Sequence, residues 1–263
     1  MRVCNLASGS KGNCTYIESD GAKLIVDMGV SAKYVTDNLK ELNVQPETID
    51  AILITHEHSD HIKGVMNFAK KYSTKILCAE VLKECLFTQL IGCESLISTY
   101  SSDFYIGDLR ILPFPLSHDS VACFGYRIID GDASVSLVTD LGVCSDNVFK
   151  IIKSSSLVYL EANYDPEMLF ACSYPSFLKK RIMGNSGHLS NKDCAIVVEK
   201  LAYSGTRQVV LSHISENSNT QFLAYSTVKN YLESKGIIVG QNIGLDVASQ
   251  NSRGTIYKIR KNI

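Results

Sequence analysis

The segment AILITHEHSDH, residues 51–61, begins as an apolar run and ends with three histidines and an aspartate within its last six residues. The run AILI reads as a buried β-strand, so the polar cluster falls in the loop that leaves it. In an extended or turning loop, residues at i and i+2 can point the same way. His56 and His58 can therefore share one cation while the adjacent Asp60 and His61 are aimed elsewhere, a geometry that suits two ions. The bland alternative is a chance cluster at a strand end. Metal ligation is the better account, because imidazole and carboxylate are common donors to divalent cations.

Working outward, helix and strand signals alternate on both sides of this segment. Short β-like runs at Arg2 to Leu6, Thr15 to Glu18 and Lys23 to Val26 are separated by turn residues and predict a small meander. Ser31 caps a helical pattern through Tyr34, Val35, Leu39 and Leu42. Beyond the histidines, 62–72 and 81–90 read as helices around a strand at 75–79. Residues 103–114, 124–129 and 134–138 are rich in β formers. The second half predicts helices at 147–153, 193–204 and 222–236 with strands at 156–162 and 207–212, the last helix closing at Gly236. Sheets from both halves with helices on their outer faces give a four-layer αββα sandwich.

The chain has 263 residues, no repeat visible by eye, no low-complexity linker and only five prolines, so one domain over 1–263 is expected. Nine cysteines form no C-x-x-C pair, which argues against a disulfide framework or a zinc ribbon and for reduced thiols. Neither a signal peptide nor a run of roughly 18 apolar residues is apparent, so a cytoplasmic protein with no membrane contact is expected. A net charge of -1 excludes a broadly basic nucleic-acid binder and leaves only local patches, of which Lys179, Lys180 and Arg181 are the best candidate.

Two further loops stand out. In GNSGHLSNKDC, residues 184–194, Ser190 and Asp193 have helix-capping spacing, which puts His188 in the loop that enters a helix. The loop Ser8 to Asn13, SGSKGN, could turn backbone N–H groups toward a phosphate or could be a plain β-turn; it lacks the P-loop pattern.

The pattern H-x-H-x-D-H after a strand resembles the signature of the metallo-β-lactamase superfamily, dinuclear hydrolases with an αββα sandwich. The resemblance implies a third ligand for the first ion, a bridging aspartate and a last histidine, and this chain offers His118, Asp140 and His213 in that order. The implied assignment is His56, His58 and His118 on one ion, Asp60, His61 and His213 on the other, and Asp140 bridging both. Asp27 in IVDMG matches a superfamily motif that supports the metal loops from behind, or is a strand-end cap. The blocks SGSKGNC, IDAILITHEHSDHIKGV, SHDS, EANYD, KKRIMGNSGHLSN and LSHISENSNT are together similar to the YycJ (WalJ) family of bacterial proteins. One departure is visible: where histidine is common in that family this chain has Tyr164, so no role carries over to that position.

The resemblance implies a metal-dependent phosphodiesterase using a metal-bridging hydroxide, and specifically a 5′ to 3′ exonuclease on double-stranded DNA, with nucleic acid as its partner and no obligate protein partner. Two ions roughly 3.5 to 4 Å apart can activate water and polarise a phosphoryl oxygen. Zinc suits the donors, and manganese or iron is also accepted. Asp60 would bind metal and orient the attacking water. In ribonuclease Z, a phosphodiesterase of the same superfamily, a histidine between the bridging aspartate and the last ligand is thought to stabilise the leaving group with a glutamate partner; His188 and Glu161 look like that pair. Thioester or lactone hydrolysis, and a non-enzymatic protein with a vestigial site, are the competing readings.

Overall fold

Strand alternation sets the layers of this molecule. In β3 (Lys23–Val26), Leu24 and Val26 leave one face while Ile25 leaves the other, and in β11 (Leu157–Glu161) Leu157 and Tyr159 alternate with Val158 and Leu160 in the same way. Every one of these side chains is buried, so each strand has a hydrophobic layer on both faces. The computed structural model, which describes residues 1–260, resolves this pattern into two seven-stranded sheets packed face to face.

The first sheet has the order β14-β1-β2-β3-β4-β5-β6, built from β1 (Arg2–Ala7), β2 (Cys14–Glu18), β3, β4 (Ala51–Leu53), β5 (Lys75–Ala79), β6 (Ile97–Tyr100) and β14 (Ile256–Lys258). The second, β13-β12-β11-β10-β9-β8-β7, contains β7 (Phe104–Ile106), β8 (Leu109–Leu116), β9 (Cys123–Asp130), β10 (Ala133–Val138), β11, β12 (Gln208–Ser212) and β13 (Gly244–Val247). Between the sheets lies a core that includes Leu24, Leu53, Tyr126, Val135, Tyr159 and Val210. Helices α1 (Ala32–Glu41), α3 (Val65–Tyr72) and α4 (Lys83–Gln89) cover the outer face of the first sheet. Helices α5 (Asp146–Ile152), α8 (Asn191–Tyr203) and α9 (Gln221–Ser234) cover the second. The four-layer αββα order expected from the sequence is the one observed.

Differences from the sequence reading have local causes. The helix expected over 62–72 is broken into α2 (Ser59–Ile62) and α3, because the Gly64 N–H leaves the helical ladder and donates to the Met28 carbonyl at 2.7 Å. The run 103–114 is a hairpin, folded at Gly107 with φ 57°. Helices α6 (Pro166–Ala171) and α7 (Ser176–Ile182), and strands β6, β13 and β14, were not legible in the sequence pattern. Each spans only three to seven residues, too few for a periodicity to show. All nine cysteines are free thiols, six of them buried. Among the described residues no helix is long and apolar enough to cross a membrane.

Phe68 in α3 is fully buried against the first sheet. Truncation to alanine is expected to cost about 3–5 kcal/mol, as for other buried aromatic deletions, read as a lower urea midpoint with an unchanged slope. A midpoint within error of the wild type would refute the layer assignment at α3.

Candidate metal centre

The parallel strands of both sheets end at one rim, and the polar residues sit where those strands end. Asp27 follows β3, the THEHSDH loop follows β4, Asp140 follows β10, Glu161 ends β11 and His213 follows β12. Asp27, Asp140 and His213 adopt left-handed backbone conformations, with φ of 58°, 64° and 53°. Asp and His enter this region more readily than bulky residues, and such strain persists where the surroundings over-determine it. Here it turns each side chain sharply out of its strand.

The ring nitrogens are oriented from behind. Asp27 accepts from the Thr55 N–H (2.9 Å), the Thr55 hydroxyl (2.8 Å) and His61 Nδ1 (2.7 Å). With its proton given to Asp27, the Thr55 oxygen is left to accept from His56 Nδ1 at 3.0 Å. His118 Nδ1 donates to the Gly187 carbonyl (3.2 Å) and His213 Nδ1 to Glu161 Oε1 (2.8 Å). Each of these four rings is therefore held through Nδ1, the arrangement seen when imidazole binds metal through its other nitrogen.

The free donor atoms converge. Four sets lie with one ligand atom per residue all within 4.8 Å of each other: His56, His58 and His118; Asp60, His61 and His213; His56, His61 and Asp140; and Asp140, Glu161, His188 and His213. His56 Nε2, His213 Nε2 and Asp140 Oδ2 are buried without a hydrogen-bond partner. Orphaned buried polar atoms are rare and costly, and three in one cluster fit a site for cations.

Charge points the same way. Burial, then the neighbouring His61, pushes the His56 pKa well below its ordinary value and keeps that ring a neutral donor. Burial works against charge on His61 and His213 too. There it is outweighed by Asp27 and Asp140 at His61, and by Asp140, Asp60 and Glu161 at His213, so both are raised. Burial would likewise raise Asp140, but His213 and His61 hold it well below the carboxylate range. The carboxylates of Asp27, Asp60, Asp140 and Glu161 thus make a pocket in which positive charge is favoured.

All of the sequence-derived site residues are brought together. Beyond the seven candidate ligands, His188 lies with its ring 5.1 Å from that of His118 and 5.3 Å from that of His213, and its Nδ1 is 2.8 Å from Glu161 Oε1. Burial disfavours the His188 cation, but Glu161 outweighs it and raises the pKa. Glu161 does more than the sequence suggested, since the same oxygen also holds His213 while Oε2 accepts from the Leu141 N–H at 2.9 Å. Tyr164 is buried against Leu169 and Ile182, with burial pushing its phenol to about 12, so it packs as a neutral side chain.

Of the two readings of Ser8 to Asn13, the turn prevails. Four of its six N–H groups are engaged within the protein: Ser8 to the Ser249 carbonyl, Gly9 to Asn13 Oδ1, Gly12 to the Gly9 carbonyl and Asn13 to the Asp60 carbonyl. Asn13 Nδ2 reaches His61 Nε2 at 3.0 Å and Ser8 Oγ accepts from the His213 N–H at 2.8 Å, so the loop braces the cluster. Sequence reasoning missed Asn13, Thr55 and Glu57, which accepts from the Val121 N–H at 2.8 Å and ties the His58 loop to the His118 loop. Only their adjacency to the histidines in sequence could have signalled Thr55 and Glu57.

The Beta-lactamase superfamily domain matches residues 24–214, which span every residue of the cluster. The chain is 39% identical over 240 residues to exodeoxyribonuclease WalJ of Streptococcus pneumoniae, covering 89% of each chain. It is 34% identical over 239 residues to exodeoxyribonuclease YycJ of Bacillus anthracis, covering 90% of each. The chain belongs to the WalJ/YycJ family. Its fold matches the metallo-beta-lactamase fold protein YhfI of Bacillus subtilis with a TM-score of 0.73 at 15% identity, over 97% of this chain and 98% of that one. As a WalJ/YycJ protein of the metallo-β-lactamase superfamily, it is a metal-dependent hydrolase, and the His/Asp cluster is where a divalent metal fits.

The metal loop of this WalJ/YycJ protein depends on a close backbone approach. A Cβ on Gly29 would lie 1.6 Å from the Asp60 carbonyl oxygen. Gly29→Ala must therefore move the Asp60 turn, and is expected to lower bound divalent metal by at least half in elemental analysis while far-UV circular dichroism stays unchanged. Full metal content in that variant would show that the turn tolerates displacement.

Proposed function

We propose that this chain hydrolyses phosphodiester bonds in DNA as a 5′ to 3′ exonuclease on duplex ends, working in the cytoplasm as one folded domain with two divalent ions. His56, His58 and His118 would hold one ion, Asp60, His61 and His213 the other, with Asp140 between them. The imidazole and carboxylate donors, with no thiolate among them, suit Zn²⁺ and accept Mn²⁺ or Fe²⁺. When bound, two such ions supply an activated water and Lewis-acid stabilisation of the phosphoryl oxygens. The nucleic-acid substrate is supported by the exodeoxyribonuclease names of WalJ and YycJ.

The observation that carries the phosphodiesterase reading is the His188–Glu161 contact of 2.8 Å beside the cluster. Water activation solves the attack, but a departing alkoxide also needs a proton or charge stabilisation. With Nδ1 committed to Glu161, His188 has Nε2 left to give a proton to the leaving oxygen. Asp60, its side chain 23% exposed while the surrounding histidines are buried, has a carboxylate edge toward solvent that can orient the attacking water. Glu161 is a positioning residue shared by His188 and His213, so the two roles separate by mutation.

Metal analysis is expected to give two divalent ions per chain; fewer than one, with none taken up on titration, would sink the dinuclear reading. His188→Ala should keep both ions and lose roughly 10²-fold or more of turnover on bis-nitrophenyl phosphate, the scale of a lost general acid. Glu161→Gln should lower metal content as well, because it weakens the hold on His213. Unchanged turnover in His188→Ala would reduce that residue to loop bracing. Faster hydrolysis of thioesters or lactones than of phosphodiesters would favour the rival substrate class.

A further inference from the structure

Helices α6 and α7 form an arm between β11 and α8 whose own core is small. Leu169, Ile182 and the partly buried Leu178 pack with Tyr164 in a cluster separate from the three main cores. The outer side of the arm is unusual. Phe170 is 85% exposed, Phe177 74% and Met183 53%. Large exposed rings grouped on one small element mark an interaction site.

The arm rims the metal centre. On one side Tyr174 accepts from Asn217 Nδ2 at 2.7 Å, in the loop that follows His213. On the other, Arg181 forks onto Asp119, the neighbour of His118, with one of its two bonds at 2.9 Å. In α7, Phe177, Lys180 and Arg181 stand at i, i+3 and i+4 and share a face, while Leu178 and Ile182 turn inward. Because Arg181 reaches Asp119, the side of α7 that bears Phe177, one turn before it, lies beside the loop of His118, and Lys180 stands next to it on the exposed surface.

Charge selects the occupant. The arm, residues 166–182, carries Lys179, Lys180 and Arg181 against Glu167, a local +2 in a chain of net charge -1. Arg181 is committed to Asp119 and Lys179 donates to the Phe170 carbonyl at 2.6 Å, a bond that leaves its charge unneutralised. Lys180 forms no ion pair among the described residues and is exposed. Exposed aromatic faces interleaved with cations are what an unpaired nucleic-acid strand binds, through base stacking and phosphate contacts. A protein partner would need no such charge.

We propose that the α6–α7 arm grips a single-stranded segment of the DNA end, with bases stacking on Phe177 and Phe170 and Lys180 meeting phosphate. This rests on the nucleic-acid reading above and narrows it: ends with an unpaired overhang are held more tightly than blunt ends.

The test is fluorescence anisotropy of full-length, metal-loaded protein with a short labelled single strand carrying nuclease-resistant phosphorothioate linkages, and with blunt and overhanging duplexes. Phe177→Ala is expected to weaken single-strand binding roughly tenfold, the scale of one lost base–aromatic stack, and to erase the preference for overhangs. Phe177→Tyr should retain both. Lys180→Ala should weaken binding and flatten its salt dependence. Turnover of bis-nitrophenyl phosphate should be unchanged in all three, since that small substrate never reaches the arm. Equal affinity in a Phe170→Ala, Phe177→Ala double variant would overturn the proposal, as would a wild-type dimer in sedimentation that the double variant dissolves. Loss of bis-nitrophenyl phosphate turnover in the wild type would instead strike the phosphodiesterase reading and leave the binding result to be judged alone.

Discussion

The carboxylate of Asp27 is the fixed point of the metal centre. Its three bonds, to the Thr55 N–H, the Thr55 hydroxyl and His61 Nδ1, join the end of β3 to the loop that leaves β4. One buried group thereby sets the loop path, the orientation of His61 and, through Thr55, the orientation of His56. A carboxylate 3% exposed needs such satisfaction, because an unpaired buried charge costs several kcal/mol. Folding the loop correctly and satisfying the charge are the same event.

The opposite sheet answers with Glu161. It is fully buried, and one oxygen accepts from both His188 and His213 while the other takes backbone N–H groups. Asp27 and Glu161 thus play matching parts on the two sheets, each orienting imidazoles through Nδ1. Such outer partners fix the tautomer and ring direction on which metal affinity depends. The left-handed turns at Asp27, Asp140 and His213 cost conformational energy of order 1–3 kcal/mol each, which the buried sandwich offsets.

Around this rigid centre the segment from Pro166 to His188 is built differently. It has little core of its own and is held by polar ties to the loops after His213 and beside His118. The same segment delivers Gly187, whose carbonyl orients His118, and His188 itself. Whatever occupies the arm is therefore mechanically close to two imidazoles of the site, and substrate contact outside the centre can bear on chemistry within it.

Much of this was legible in the residues. Neighbours in sequence are neighbours in space, so the loop His56 to His61 announced a metal site, the continuous apolar run AILI announced a buried strand and Ser190 announced the start of α8, where its hydroxyl does accept from the Asp193 N–H. Short-range periodicity carries that information. It cannot carry the pairing of β14 with β1, in which Ile256 lies opposite Cys4, or the helices of the arm, which fall short of two full turns and so show no repeat. The sharing of Glu161 between two histidines and the approach of Asn13 to His61 were hidden for a further reason. They join residues 52 and 48 positions apart, and only strand order and the left-handed turns at the strand ends bring such atoms within hydrogen-bond reach. The donors were written locally, residue by residue, while their convergence on one point was decided by the packing of two sheets.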